Sequence, residues 1–185
     1  MLNEVLQETR EKMKATLHVF EEDLQGIRGN RASTALVDRL QVDYYGQPTE
    51  LRQLANLSTP EPMTITIRPY DKTAVKAIET AINQANLGVN PNVDGEIIRL
   101  NMPPLTRERR QELTRVLGKR AEDARVAIRN VRRGANDDIK MLQDEKEIGE
   151  DDAHRGLDKV QEMTDEFIKK IDEAAKAKEA DILEV

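Results

Sequence analysis

The sequence predicts an α+β protein: an elongated antiparallel three-helix bundle carrying an inserted small β/α/β domain, the two set as an L. Three observations lead there. Apolar residues recur at helical spacing in three long segments, 2–28, 106–144 and 150–182. Between the first two segments the pattern changes to strand-like alternation and turn residues. Charged residues make up 35% and aromatic residues 3%, so the low apolar content must be concentrated in narrow stripes. Such stripes mark amphipathic helices and argue against disorder.

The first helix is expected from about Leu2 to Arg28. Leu6, Met13, Phe20 and Ile27 fall seven apart, and Leu17 and Leu24 fill a second seam position; heptad spacing of this kind gives one apolar edge. The second helix is expected from Thr106, a good N-cap after two prolines, to about Asp144. Its buried face would comprise Leu113, Leu117, Ala124, Ile128, Val131, Ala135, Ile139 and Leu142. The third begins near Glu150, Asp151 and Asp152, whose charges suit a helix N-terminus. It presents Leu157, Val160, Thr164, Phe167, Ile171, Ala174 and Ile182. At about 1.5 Å per residue the rods are roughly 40, 60 and 50 Å long. Each has one apolar stripe to bury, and a bundle buries all three.

Residues 1–29 and 106–185 therefore form the bundle, and 30–105 the inserted domain. Within the insertion Leu40, Val42 and Tyr44 alternate with polar residues, and Tyr45-Gly46-Gln47-Pro48 reads as a turn. Met63, Ile65 and Ile67 alternate in the same way, as do Ile98, Leu100 and Met102. One helix interrupts them, from an Asp71 or Thr73 cap through Ala74, Ala77, Ile78, Ala81 and Ile82 to a stop at Gly88. Gly29-Asn30-Arg31 forms one link to the bundle and Met102-Pro103-Pro104, with Leu105, the other. Two short crossings at matched positions suggest a hinge.

Charge is distributed unevenly. The chain carries 29 Lys+Arg and 35 Asp+Glu, a net of −6. Residues 106–133 nevertheless hold ten basic and four acidic side chains, a net of +6, while 134–185 carry −9 and 1–105 carry −3. On a helix Arg125, Arg129, Arg132 and Arg133 share one face. The planar guanidinium fork matches two phosphate oxygens, so the stripe is a candidate RNA-binding face; a merely solvated charged face is the plainer alternative. The acidic remainder would confine any RNA to that face.

Signals for catalysis are poor. No cysteine is present, which excludes disulfides and thiol chemistry. Gly118-Lys119 resembles the end of a phosphate-binding loop, but Leu113 stands where the first glycine belongs, and the site is mid-helix. His18 and His154 are the only histidines and sit on charged helices, as surface residues do. Glu150, Asp151, Asp152 and His154 could gather a divalent ion, though helix capping accounts for the acids more simply. Tyr44 and Tyr45 could stack on bases, but the alternation places Tyr44 in the core. Gly118 and Gly134 each cost a helix about 1 kcal/mol relative to Ala; at Gly134 a close neighbouring helix, a close RNA backbone or simple tolerance would each serve. No apolar run approaches the roughly 20 residues that span a bilayer, and the N-terminus has no apolar block resembling a signal peptide. A soluble, cytoplasmic protein is expected.

Several stretches together resemble the bacterial ribosome recycling factors: IRGNRAS at 27–33, VDYYGQPTELRQLA at 42–55, LGVNPNVDGEIIRLNMPPLTRERR at 87–110, and ARVAIRNVRR with AN at 124–136. The resemblance spans essentially the whole chain. It implies the same L-shaped fold and a non-enzymatic translation factor, a cofactor-free monomer. Such a factor binds the large ribosomal subunit and its RNA after termination; with elongation factor G, on which GTP is hydrolysed, it dissociates the subunits and frees messenger and transfer RNA. It further implies that Arg129, Arg132 and Arg133 meet ribosomal RNA, that Arg28, Arg31 and Arg110 have RNA-facing or bracing roles near the hinge, and that the smaller domain meets elongation factor G. Gly134 departs from the helix-favouring or charged residue expected after the paired arginines. A scaffold or co-chaperone bundle is the runner-up reading, and an RNA-acting enzyme the third.

Overall fold

The computed structural model describes residues 1–184. Its elements in chain order are α1 (Leu2–Gln25), β1 (Gln41–Tyr44), β2 (Gln47–Glu50), α2 (Leu51–Leu54), β3 (Ala55–Glu61), β4 (Thr64–Pro69), α3 (Val75–Gln84), β5 (Pro91–Asp94), β6 (Ile97–Asn101), α4 (Arg107–Asp144) and α5 (Glu150–Leu183). The chain divides into two compact units, one of residues 1–24 and 114–180, the other of 25–113 and 181–185. The division falls within the three long helices, and both expected hinge segments belong to the second unit.

The first unit is built from the three helices. Met13, Phe20 and Leu24 of α1 are buried with Ile128 and Ile139 of α4 and with Val160, Phe167 and Ile171 of α5. Asp23 and Lys12 of α1 face Arg120 and Asp138 of α4, so those helices run antiparallel; Leu2 and Arg10 face Gly156 and Glu166 of α5, which runs parallel to α1. Some seam positions differ from expectation. Leu6, Leu17, Val131, Leu142, Leu157 and Ala174 are only half-buried, while Thr9, Ala121, Ala153 and Met163 are buried. Thr9 can enter the seam because its hydroxyl donates to the Val5 carbonyl at 2.7 Å, satisfying the polar atom within its own helix. The N-cap of α4 is the expected one: Thr106 Oγ1 accepts from Arg109 N–H at 3.1 Å.

The second unit holds a two-stranded sheet, β1-β2, and a four-stranded antiparallel sheet of order β3-β4-β6-β5. Ile65 and Ile67 of β4, Ile98 and Leu100 of β6, and Ile78 and Ile82 of α3 form one fully buried core. Tyr45 and Gly46 join β1 to β2 with positive φ at both positions, 51° and 77°, the backbone of a type I′ hairpin. β2, β3 and β5 lack clean alternation, so the apolar pattern does not announce them. The latter two are edge strands and carry Pro60 and Pro91, tolerated where an N–H is not needed.

Three expectations are corrected here. α1 stops at Gln25, not Arg28, because Gly26 follows immediately. α3 stops at Gln84, well before Gly88, because Asn86 takes the left-handed position that ends it, with φ 53°. Thr64 and Thr66 alternate with the isoleucines and should face water, yet both are buried. β4 is central, and Ser58 and Arg99 flank Thr66 across the ladder. Thr64 donates to Asn101 Oδ1 at 3.2 Å.

Two helical glycines make a stability test. A Cβ at Gly134 would meet nothing within 4 Å, whereas one at Gly156 would lie 2.8 Å from Leu2 Cδ1 and 3.2 Å from Ile139 Cδ1. A close neighbouring helix therefore does not account for Gly134. Gly134→Ala is expected to stabilise by about 0.5–1 kcal/mol, and Gly156→Ala to forfeit that gain to crowding. Urea unfolding midpoints decide it; a destabilised Gly134→Ala protein would contradict the open surface.

Candidate nucleic-acid interface

The arginines of α4 are held at graded strength. Arg125 is the most committed: its Nε donates to Glu122 at 3.0 Å and its Nη1 to Asp172 of α5 at 2.8 Å, with the side chain 25% exposed. One turn on, Arg129 shares Glu122 at 3.1 Å and is 41% exposed. Arg132 meets a neutral amide, Gln161 Oε1, at 3.3 Å, and that amide turns its own N–H to Asp165 at 2.9 Å. Arg133 is exposed and has neither ion pair nor side-chain hydrogen bond among the described residues. Glu122 sits below the ordinary carboxylate range, first because Arg125 hydrogen-bonds it and next because Arg129 does. Within this stripe the available positive charge therefore increases from Arg125 to Arg132 and Arg133. The acids that set this gradient differ in how visible they are in the sequence. Glu122 stands at i, i+3 from Arg125, whereas nothing in the sequence aligns Asp172 with that arginine across 47 residues.

The remaining expected residues lie in the second unit. Arg28 is half-buried and donates through Nη2 to the Pro103 carbonyl. Burial first, and Arg109 second, push its guanidinium below the usual value. Arg28 and Arg109 line one cavity of about 410 Å³ with an apolar floor that includes Leu36, Ile65, Leu100 and Met102. Arg109 is an addition of the structure, since its spacing sets it apart from the stripe. Arg110 is half-buried. Arg31 is exposed and 3.7 Å from Glu184. Through its bond to Pro103, Arg28, which precedes the first expected hinge segment, reaches the second. Gly29 abuts the Asp181 side chain, and Asn30 N–H donates to the Asp181 carbonyl at 3.2 Å. Met102 and Leu105 are buried, whereas Pro103 and Pro104 are exposed.

The other candidates separate clearly. His18 and His154 are exposed, each near an acid one turn away, Glu22 at 3.6 Å and Asp158 at 3.8 Å. No group of three metal-ligating side chains gathers among the described residues. No described helix is long and apolar enough to cross a membrane. Tyr44 packs half-buried against the sheet core and donates to Asp71 at 2.7 Å, while Tyr45 is exposed.

Comparison with known proteins adds a family. A model of the family described as Ribosome recycling factor matches residues 20–183. A ribosome-recycling factor of Symbiobacterium thermophilum is 46% identical over 185 residues, all of both chains. That of Brevibacillus brevis is 50% identical over 181 residues, 98% of each chain. A solution structure of the ribosome recycling factor, 42% identical, matches with TM-score 0.80 over 100% of this chain and 98% of that one. A second structure, 44% identical with TM-score 0.71 over 99% of both chains, is the T. thermophilus ribosome recycling factor with the E. coli elongation factor G bound to the E. coli post-termination complex.

The gradient separates structural from available arginines. Arg125→Ala is expected to lower stability by about 0.5–1 kcal/mol, because both carboxylate partners are left without it. Arg133→Ala should stay within about 0.5 kcal/mol of the parent. Equal urea midpoints for the two variants would refute the ordering.

Proposed function

The chain belongs to the ribosome recycling factor family, and on that premise we propose that it binds the large ribosomal subunit after termination. Together with elongation factor G, which hydrolyses the GTP, it dissociates the post-termination complex into subunits and releases messenger and transfer RNA. The chain itself catalyses nothing, needs no cofactor, and acts as a monomer in the cytoplasm, where bacterial ribosomes are. Support for the partners comes from the relative seen with elongation factor G on a post-termination complex.

The observation that carries the RNA-binding assignment is the uncommitted charge at Arg132 and Arg133. Arg129, which shares its acid, extends the same face. Arg110, Arg28 and Arg31 would brace or extend RNA contact from the second unit. The residues 1–29 and 106–185 would act as the docked rod and 30–105 as the driven domain. Gly29, Asn30 and Arg31 with Met102, Pro103, Pro104 and Leu105 would be the flexion point, supported by the bond from Arg28 to Pro103. A rod that stays on RNA phosphates while a translocase displaces the second domain would strain the contacts between subunits.

Disassembly of post-termination complexes by this protein, elongation factor G and GTP tests the reading. Replacing Arg132 and Arg133 with Ala should leave the thermal midpoint unchanged and weaken large-subunit binding about 10-fold or more. The log–log dependence of affinity on salt should also flatten, by roughly 0.7–0.9 for each phosphate no longer neutralised. Unchanged subunit binding across salt concentrations would favour the scaffold reading instead.

A further inference from the structure

The recycling reading makes no use of the cavity of about 410 Å³ in the second unit, although Arg28 belongs to both. The floor of that cavity is aliphatic, with Leu36, Ile65, Leu87, Val89, Leu100 and Met102 in the lining. Leu36, Leu87 and Val89 are only half-buried, so apolar surface is left there for a ligand to cover. Polar side chains are few. Arg28, Arg109 and Asn86 supply them, and no acid lines the cavity among the described residues.

Charge selects the head of that ligand. Arg28 gives its Nη2 to a neutral carbonyl, that of Pro103, and has no ion pair among the described residues. Its guanidinium is held below the usual value, first by partial withdrawal from water and second by the like charge of Arg109. Arg109 has one carboxylate, Glu112 at 2.6 Å, and that acid lies outside the lining. Two guanidiniums against one carboxylate leave a single positive charge above an apolar floor. A cation partly stripped of water and lacking a counter-ion is costly, and an oxyanion between the two forks would offset both the desolvation and the repulsion. A monoanion matches that charge; a phosphate monoester, with nearly two negative charges, exceeds it.

The floor selects the body. Asn86 is the one side-chain amide in the lining, so the polar groups of a peptide or a nucleobase would be buried without partners. A hydrocarbon chain has none to satisfy. The volume falls within the roughly 300–1,000 Å³ of small-molecule sites. The helical unit offers a contrast, since the groove of about 380 Å³ beside Val19 is lined by Asp23 and Asp123, and its Arg120 is paired with Asp23. Those acids repel a carboxylate. We infer that the cavity of the second unit is a binding site for a small aliphatic monocarboxylate, its head on Arg28 and Arg109 and its chain on Leu36, Leu87, Val89 and Met102. The inference stands independently of the recycling function proposed above.

Octanoate is the probe, titrated into the full chain by calorimetry at low ionic strength, with methyl NMR spectra to locate it. One octanoate should bind per chain with a Kd of about 1 mM or below, moving the methyl signals of Leu36, Leu87 and Val89. Octanol, which lacks the charged head, and acetate, which lacks the chain, should each bind at least 10-fold more weakly. Arg109→Gln should weaken octanoate at least 10-fold and leave octanol unchanged, whereas Glu112→Gln, which frees Arg109, should tighten octanoate. Both positions are exposed, so the urea midpoints should stay near that of the parent. Octanol binding as tightly as octanoate overturns the inference, as does octanoate binding that is indifferent to both substitutions. Absence of saturable binding, or signals that move at Val19 and not at Leu36, overturns it equally.

Discussion

A guanidinium has five N–H donors and one charge, and whatever a neighbouring carboxylate takes is withheld from a phosphate. The arginine stripe of α4 is shaped by that competition. Arg125 commits its charge to Glu122 and Asp172, Arg129 to a share of Glu122, and Arg132 meets an amide that cannot neutralise it. Helix α5 decides the outcome by what it places opposite: Asp172 beside Arg125, Gln161 beside Arg132. A single helix thus supplies bracing at one position and uncommitted charge two turns away. The acidic remainder of the chain would add a repulsive background against a polyanion elsewhere.

The periodicity of the rods is legible because one face of each must be buried, and burial leaves a period in the sequence. Phe20, Ile128, Phe167 and Ile171 are where that period puts them. The sheet is less legible. β3 and β5 lie at edges, where proline is tolerated and alternation weakens, and Thr66 on the central strand β4 is buried although its residue type does not announce it. Helix ends depart from expectation for a local reason: Asn86 serves where Gly88 is expected, since either residue can take a positive φ.

The site is legible by residue type but not by strength. Spacing alone puts four arginines on one face, and it cannot show that one is locked across the bundle to Asp172. The same limit applies to the tyrosines. The alternation Leu40, Val42, Tyr44 correctly turns Tyr44 inward, but the strain at Tyr45 exists only once Tyr45 and Gly46 become the two corner residues of a hairpin. Sequence patterns report what each element must bury; contacts between elements determine which exposed groups are available.

On the proposed reading, a stripe whose arginines are only partly free also suits the timing that recycling demands. A factor that leaves the ribosome after each round gains nothing from a stripe fully charged along its length. Each additional phosphate contact raises affinity and steepens its fall with salt, and dissociation slows accordingly, because affinity differences among related complexes are carried mainly by off-rates. Diverting Arg125 and part of Arg129 to acids of the bundle braces the helix pair and, on the proposed reading, withholds that charge from phosphate. On the proposed RNA-binding reading, the same ion pairs that brace the bundle also limit how tightly this stripe can hold RNA. Adding charge by removing Glu122 or Asp172 would trade a firmer grip for a slower release.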